Sequence, residues 1–331
     1  MLGKRPILFR CEAVVLACAG VAAAMSWGYG VPLRAPLRLY LEKLSGGLMW
    51  YATGLLLCLL IVRVGDIRSW RKGDTRVSLA LSWQHYASRY LRLRFLVHDL
   101  RLVHAVAVCF LVFIQLKHFV PSVNSALFDE QLAVIDRFFC GERLCGELLL
   151  QTIGADAAPL MSSAYTFFFP YMGLLLMVMV LQRDAEVARC FCAGFVVVWL
   201  AGIFLVYLVP SWGPCYFFSP AFSSLTGTEV AELRDGLWQM KVFLDRFPQS
   251  PRGAFMISGF PSLHLAVPVL GSLFLQRIHW SCALLSWLFA AVTFLTTLYF
   301  GWHYLLDDLG AVLLGYAAYY YAAMDCEKRA V

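Results

Sequence analysis

Apolar residues in this chain come in long blocks separated by short polar or basic stretches, with no alternation of period two. A helix crossing a bilayer needs about 20 predominantly apolar residues, and blocks of that length with few charges are read as spans. Eight qualify, over residues 12–30, 47–64, 103–120, 158–181, 190–209, 262–278, 280–300 and 303–323. The pattern predicts an all-α, polytopic helical membrane protein. The sixth block is short and follows Pro261 directly, a residue suited to a first helical turn because its missing N–H would be an orphan there. Two connecting stretches carry patterns of their own. Residues 121–157 set Leu127, Leu132, Ile135, Phe138 and Phe139 at helical spacing among acids, which predicts one or two short helices lying at the interface. Residues 210–261 are rich in Pro, Ser, Gly and aromatics, which predicts a loop with one helix near residues 229–247.

Composition agrees: 61% of the 331 residues are hydrophobic and 15% charged, against about half and a quarter in soluble domains. Lys4, Arg5 and Arg10 before an apolar run read either as a cleaved leader or as the flank of a first span, and Trp27 and Tyr29 favour the span as interfacial anchors. With the N-terminus inside, seventeen of the 27 Lys and Arg fall on the cytoplasmic side, nine of them in residues 63–101 between Arg63 and Arg101. Trp70, Trp83, Tyr86 and Tyr90 interleave with those arginines. A juxtamembrane cluster of this kind is expected to meet anionic lipid headgroups rather than nucleic acid. Cys18, Cys58, Cys109, Cys192 and Cys282 lie in spans as small core residues, whereas Cys140 and Cys145 share one connecting stretch where a disulfide can form. No spacing suggests a metal site, and no cofactor is expected.

The candidate chemistry lies near the C-terminal end, in Gly259-Phe260-Pro261-Ser262-Leu263-His264 and His303-Tyr304-Leu305-Leu306-Asp307. His303 and Asp307, at i and i+4, share one helix face, so the carboxylate can accept from one imidazole nitrogen and make the other a better nucleophile. A second histidine in the same space supplies an acid. Ionisable groups at the mouths of apolar helices are costly and default to function.

Pro-Ser-x-His followed about forty residues later by His-x-x-x-Asp resembles the signature of the type 2 phosphatidic acid phosphatase superfamily. The variants Pro-Ser-Leu-His and His-Tyr-x-x-Asp look most like its inositol phosphorylceramide synthase (inositolphosphotransferase) branch and that branch's bacterial relatives. Pro210-Ser211-Trp212-Gly213-Pro214 and the acidic stretch from Phe128 through Asp129 to Asp136 extend the resemblance over roughly residues 100–323. It implies a two-helix N-terminal part with a basic connector (residues 1–102), a six-helix catalytic core (103–323) and a short tail (324–331). It also implies a bacterial inner (plasma) membrane location, a lipid substrate, His303 as the residue that forms a phosphohistidine, Asp307 as its orienting carboxylate and His264 as the acid.

The chain departs from the phosphatases where they hold phosphate. It has no Lys-x6-Arg-Pro string, and Thr297 stands where they carry an arginine six residues before the nucleophile. The remaining candidates are the amides of Ser262, Leu263 and His264 at a helix start, with Arg252, Arg246 and Lys241 from the preceding loop. Asp308 reads as a secondary orienting group, and His118, beside Lys117, as an interfacial residue. Three functions stay open: a lipid phosphotransferase, a lipid phosphate or polyprenyl diphosphate phosphatase, and a non-enzymatic membrane protein or transporter. The basic-residue asymmetry puts His264, His303 and Asp307 at the extracytoplasmic face. An impermeant thiol reagent is therefore expected to label a cysteine placed at Ser223 from outside, and one at Ser69 only after permeabilisation. The reverse pattern inverts the topology.

Overall fold

The computed structural model describes residues 9–71, 79–182, 184–247, 250 and 259–328. Among them the chain runs as α1 (Arg10–Tyr29), α2 (Pro36–Arg71), α3 (Leu79–Tyr90), α4 (Leu93–Val123), α5 (Asp129–Phe139), α6 (Cys145–Ile153), α7 (Ala158–Thr166) and α8 (Phe168–Leu181). It continues with α9 (Ala185–Leu208), α10 (Pro214–Phe217), α11 (Glu229–Arg246), α12 (Leu263–Leu275), α13 (Trp280–Tyr299) and α14 (Leu305–Lys328). The described residues contain no strand, as lipid demands, because a spanning helix satisfies its own backbone groups.

Among the described residues, six stretches are long and apolar enough to cross a membrane: Arg10–Tyr29, Pro36–Val64, Leu93–Val123, Ala155–Leu181, Ala185–Leu208 and Trp280–Tyr299. The protein is a polytopic helical membrane protein. The other two expected spans differ from these six. The helix Leu263–Leu275 has only 13 residues, and α14 opens with Asp307 and Asp308 in its first turn. The span expected over residues 158–181 is two helices joined at Phe167. Pro170 explains the joint: lacking an N–H, it fits the first turn of a new helix and not the interior of a continuous one. Pro261 also lies elsewhere than the pattern suggests, one residue before the N-cap Ser262 of α12.

Helix α9 runs through the middle of the bundle, touching α1, α4, α8, α12 and α14. Its glycines permit this. A Cβ on Gly202 would come within 2.3 Å of Leu263, and one on Gly194 within 3.1 Å of Leu270 and 3.3 Å of the Ala318 carbonyl. Small residues of this kind let helices approach closely where no hydrophobic force between them is available. Phe195 and Trp199 of α9 interlock with Phe110 of α4. The outer faces of α2, α13 and α14 present Leu56, Leu60, Ile61, Leu285, Leu288 and Leu313 outward, as a lipid-facing surface does. Polar ties fix the first two spans to α4. Arg101 donates to Glu12 (2.8 Å), Tyr51 to Asp99 (3.1 Å), and Gln115 exchanges hydrogen bonds with the backbone of Arg34.

At the end of the bundle where α4 and α9 finish, the two connecting stretches fold over the helix ends. Helices α5 and α6 are joined by a Cys140–Cys145 disulfide. Helix α11 is capped by Thr228, whose hydroxyl accepts from the Ala231 amide. This assembly forms a second apolar cluster around Leu132, Tyr165, Phe222, Trp302 and Tyr304, distinct from the main core.

Candidate active site

The turn joining α13 to α14 carries His303. Gly301 makes it possible with φ +66°, a left-handed conformation that costs a glycine little. His303 Nδ1 lies 3.3 Å from Asp307 Oδ2, and the same oxygen accepts from the Tyr304 amide at 3.0 Å. In the tautomer protonated at Nδ1 the imidazole donates to this carboxyl group and Nε2 keeps the lone pair. Asp307 is fully buried, and its backbone carbonyl accepts from the Ser262 amide at 3.0 Å. That one bond ties the start of α12 to the start of α14.

His264 therefore arrives beside His303, their ring centroids 6.3 Å apart. Phe168 and Tyr165 wall the other side, at 4.6 and 5.4 Å between centroids, and the Tyr165 hydroxyl lies 3.5 Å from His264 Nε2. Tyr165 also stacks on Trp302, the residue before His303. Asp308 is fully buried too. It accepts from the Thr297 hydroxyl at 2.9 Å and has the Ser262 hydroxyl beside it. The position where the phosphatases carry arginine is thus committed to holding a carboxyl group.

The expected phosphate ligands are dispersed. The Ser262 amide is taken by the Asp307 carbonyl, leaving Leu263 and His264 as the first amides of α12 without an i−4 partner. Lys241 is held by Asp245 at 2.5 Å and sits over the rings of Trp212 and Trp238, at 4.9 and 5.4 Å. Arg246 is exposed at the end of α11, and Arg252 lies outside the described residues. His118, expected at the interface, is buried in α4, and its neighbour Lys117 is half-buried. No group of three or more His, Cys, Asp or Glu among the described residues could hold a metal ion.

Two further carboxylates lie under the site, both from α5 and both fully buried. Asp129 accepts from the Trp212 and Gly213 amides, each at 3.0 Å, and from the Tyr304 hydroxyl at 2.9 Å. Asp136 accepts from the Cys145 amide at 3.1 Å and the Leu305 amide at 2.9 Å. The stretch containing them is legible as a motif, but their partners lie up to 175 residues away and are not.

This geometry can be set against known families. The family profile described as the PAP2 superfamily matches residues 144–321, more than half of the chain, with His264, His303 and Asp307 inside the match. The chain belongs to the PAP2 superfamily. No curated protein and no solved structure matches it significantly. Membership in the PAP2 superfamily brings phosphatase or phosphotransferase activity on lipid-like phosphates.

Burial lifts the Asp136 carboxyl from an ordinary 3.8 to about 6, outweighing its two amide donors and helped by the nearby Asp307. A raised carboxyl makes the folded state bind more protons than the unfolded one between those two values, so stability falls as pH rises through that window. The parent protein is expected to lose stability relative to Asp136→Asn between pH 4 and 6, read by thermal unfolding in detergent. A difference that stays flat with pH removes the effect.

Proposed function

We propose that this PAP2 protein is a lipid phosphotransferase that moves a phospho-headgroup between lipids through a phosphohistidine on His303, at the extracytoplasmic face. The observation that carries the reading is the meeting of His303, backed by buried Asp307, with His264 in one space. His303 Nε2 attacks phosphorus as the bond to the lipid's glycerol oxygen breaks, and His264 gives that oxygen its proton. The acceptor hydroxyl then attacks the phosphohistidine, yielding its proton to His264 and returning His303 to its starting form. Asp307 holds the tautomer and stabilises the ring as charge develops. Lys117 and the first amides of α12 supply positive potential for the phosphate, with Arg252, Arg246 and Lys241 as further cations from the loop.

Transfer rather than hydrolysis is supported by the resemblance of the Pro-Ser-Leu-His and His-Tyr-x-x-Asp strings to the inositolphosphotransferase branch. It is further supported by Thr297, whose hydroxyl serves Asp308 in place of the phosphatases' arginine. Hydrolysis shares the first step and differs only in what attacks second. Purified protein given labelled phosphatidylinositol, phosphatidylglycerol or polyprenyl diphosphate, with and without ceramide or diacylglycerol, separates the two. A new labelled lipid supports transfer, and free phosphate or a free phospho-headgroup in its place overturns it.

His303→Ala is expected to abolish turnover and any acid-labile phosphoenzyme, because the covalent step is assigned to this imidazole. Trapped phosphoprotein in that variant would count against His303. His264→Ala should cost most with a lipid alkoxide as leaving group and far less with an activated aryl phosphate, measured in the pre-steady state. Equal losses on both substrates would assign His264 a binding task instead.

A further inference from the structure

The turn that carries His303 is held at nearly every residue by groups outside it. The Gly301 carbonyl accepts from the Cys215 amide at 2.7 Å. The Trp302 carbonyl lies against Gly213, where φ is +88° and an added Cβ would come within 2.5 Å of that oxygen. The Tyr304 amide goes to Asp307, the Tyr304 hydroxyl to Asp129, and the Leu305 amide to Asp136. Two of these anchors are carboxylates on one helix, α5, with no exposed surface. Helix α5 ends at Phe139, before the PAP2 match begins at residue 144. Asp129 also binds the loop on the other side of the turn through the amides of Trp212 and Gly213. One carboxylate thereby clamps both the nucleophile turn and the strap that packs on it.

We infer that α5 is the positioning element for the nucleophile, with Asp129 acting through Tyr304 and Asp136 through Leu305 to fix the His303–Asp307 pairing. The inference rests on the phosphohistidine reading for its catalytic consequence and on geometry alone for its structural one. The chain of action is short. Asp129 holds the Tyr304 ring, and the Tyr304 amide donates to the same Asp307 oxygen that meets His303 Nδ1. Freeing the ring lets the turn shift, and the Asp307 oxygen then loses its alignment with the imidazole. Misplacement of a reacting group by about 1 Å costs on the order of 100-fold in rate.

The test uses the full-length protein in nanodiscs, with Tyr304→Phe and Asp129→Asn separately and together. Tyr304→Phe keeps the ring and the backbone amide and deletes only the hydroxyl donor. Nitrogen-15 histidine NMR, with the His303 signal assigned by its loss in His303→Gln, reads the tautomer without substrate. The parent is expected to show one His303 tautomer, protonated at Nδ1, and each variant a mixture of two. The phosphorylation rate should fall by about 10-fold or more while KM stays within about 2-fold. The double variant should be no slower than the slower single, because both substitutions cut the same link. An unchanged tautomer in Tyr304→Phe overturns the inference, whatever Asp129→Asn does to folding. If the parent forms no phosphoenzyme, the functional reading fails, and the NMR comparison still decides the positioning role.

Discussion

Four fully buried aspartates at one end of the bundle set the terms for everything around them: Asp129, Asp136, Asp307 and Asp308. A carboxylate out of water must be given hydrogen-bond donors, or it costs several kcal/mol. Few of the donors here are cationic side chains. They are mostly main-chain amides of Trp212, Gly213, Cys145, Tyr304 and Leu305, with the hydroxyls of Tyr304 and Thr297. An amide can serve only if its whole segment comes close in the right orientation. Supplying these donors therefore brings the ends of α13 and α14, the loop before α10 and the α5–α6 hairpin to one place. The arrangement of the two histidines follows from that convergence.

The spans were readable because each is a local property of about twenty residues. The boundaries that shifted did so for local reasons of another kind. Pro170 divides one span in two, and the Ser262 amide, bonded to the Asp307 carbonyl, sets the start of α12 beyond Pro261. The i, i+4 relation of His303 and Asp307 was equally local and equally readable. The partners of Asp129 were not. Asp129 is explained only by Tyr304, Trp212 and Gly213, which no periodicity connects to it. Arg246 and Lys241 show the converse, being basic residues in a suggestive loop whose helix directs one to Asp245 and leaves the other exposed.

Thr297 illustrates how a single replacement propagates. An arginine at this position would point a full positive charge toward phosphate. The threonine instead donates to Asp308, and the Ser262 hydroxyl lies on the same carboxyl group. Asp308 thus links α13, the Pro-Ser string and α14 through short polar side chains.

The shortness of α12 has a consequence for where the reaction happens. Thirteen residues rise about 20 Å, while the hydrocarbon layer is about 30 Å thick and the antiparallel α13, with 20 residues, matches it. Helix α12 is thus about 10 Å shorter than α13. On the proposed reading, the histidine pair works from the start of this short helix, below the end of α13. A lipid can bring its phosphate to that depth by sliding sideways in its own leaflet, with its chains never leaving oil. A water-soluble phosphate would have to descend into the same recess from above, and would shed its hydration on the way.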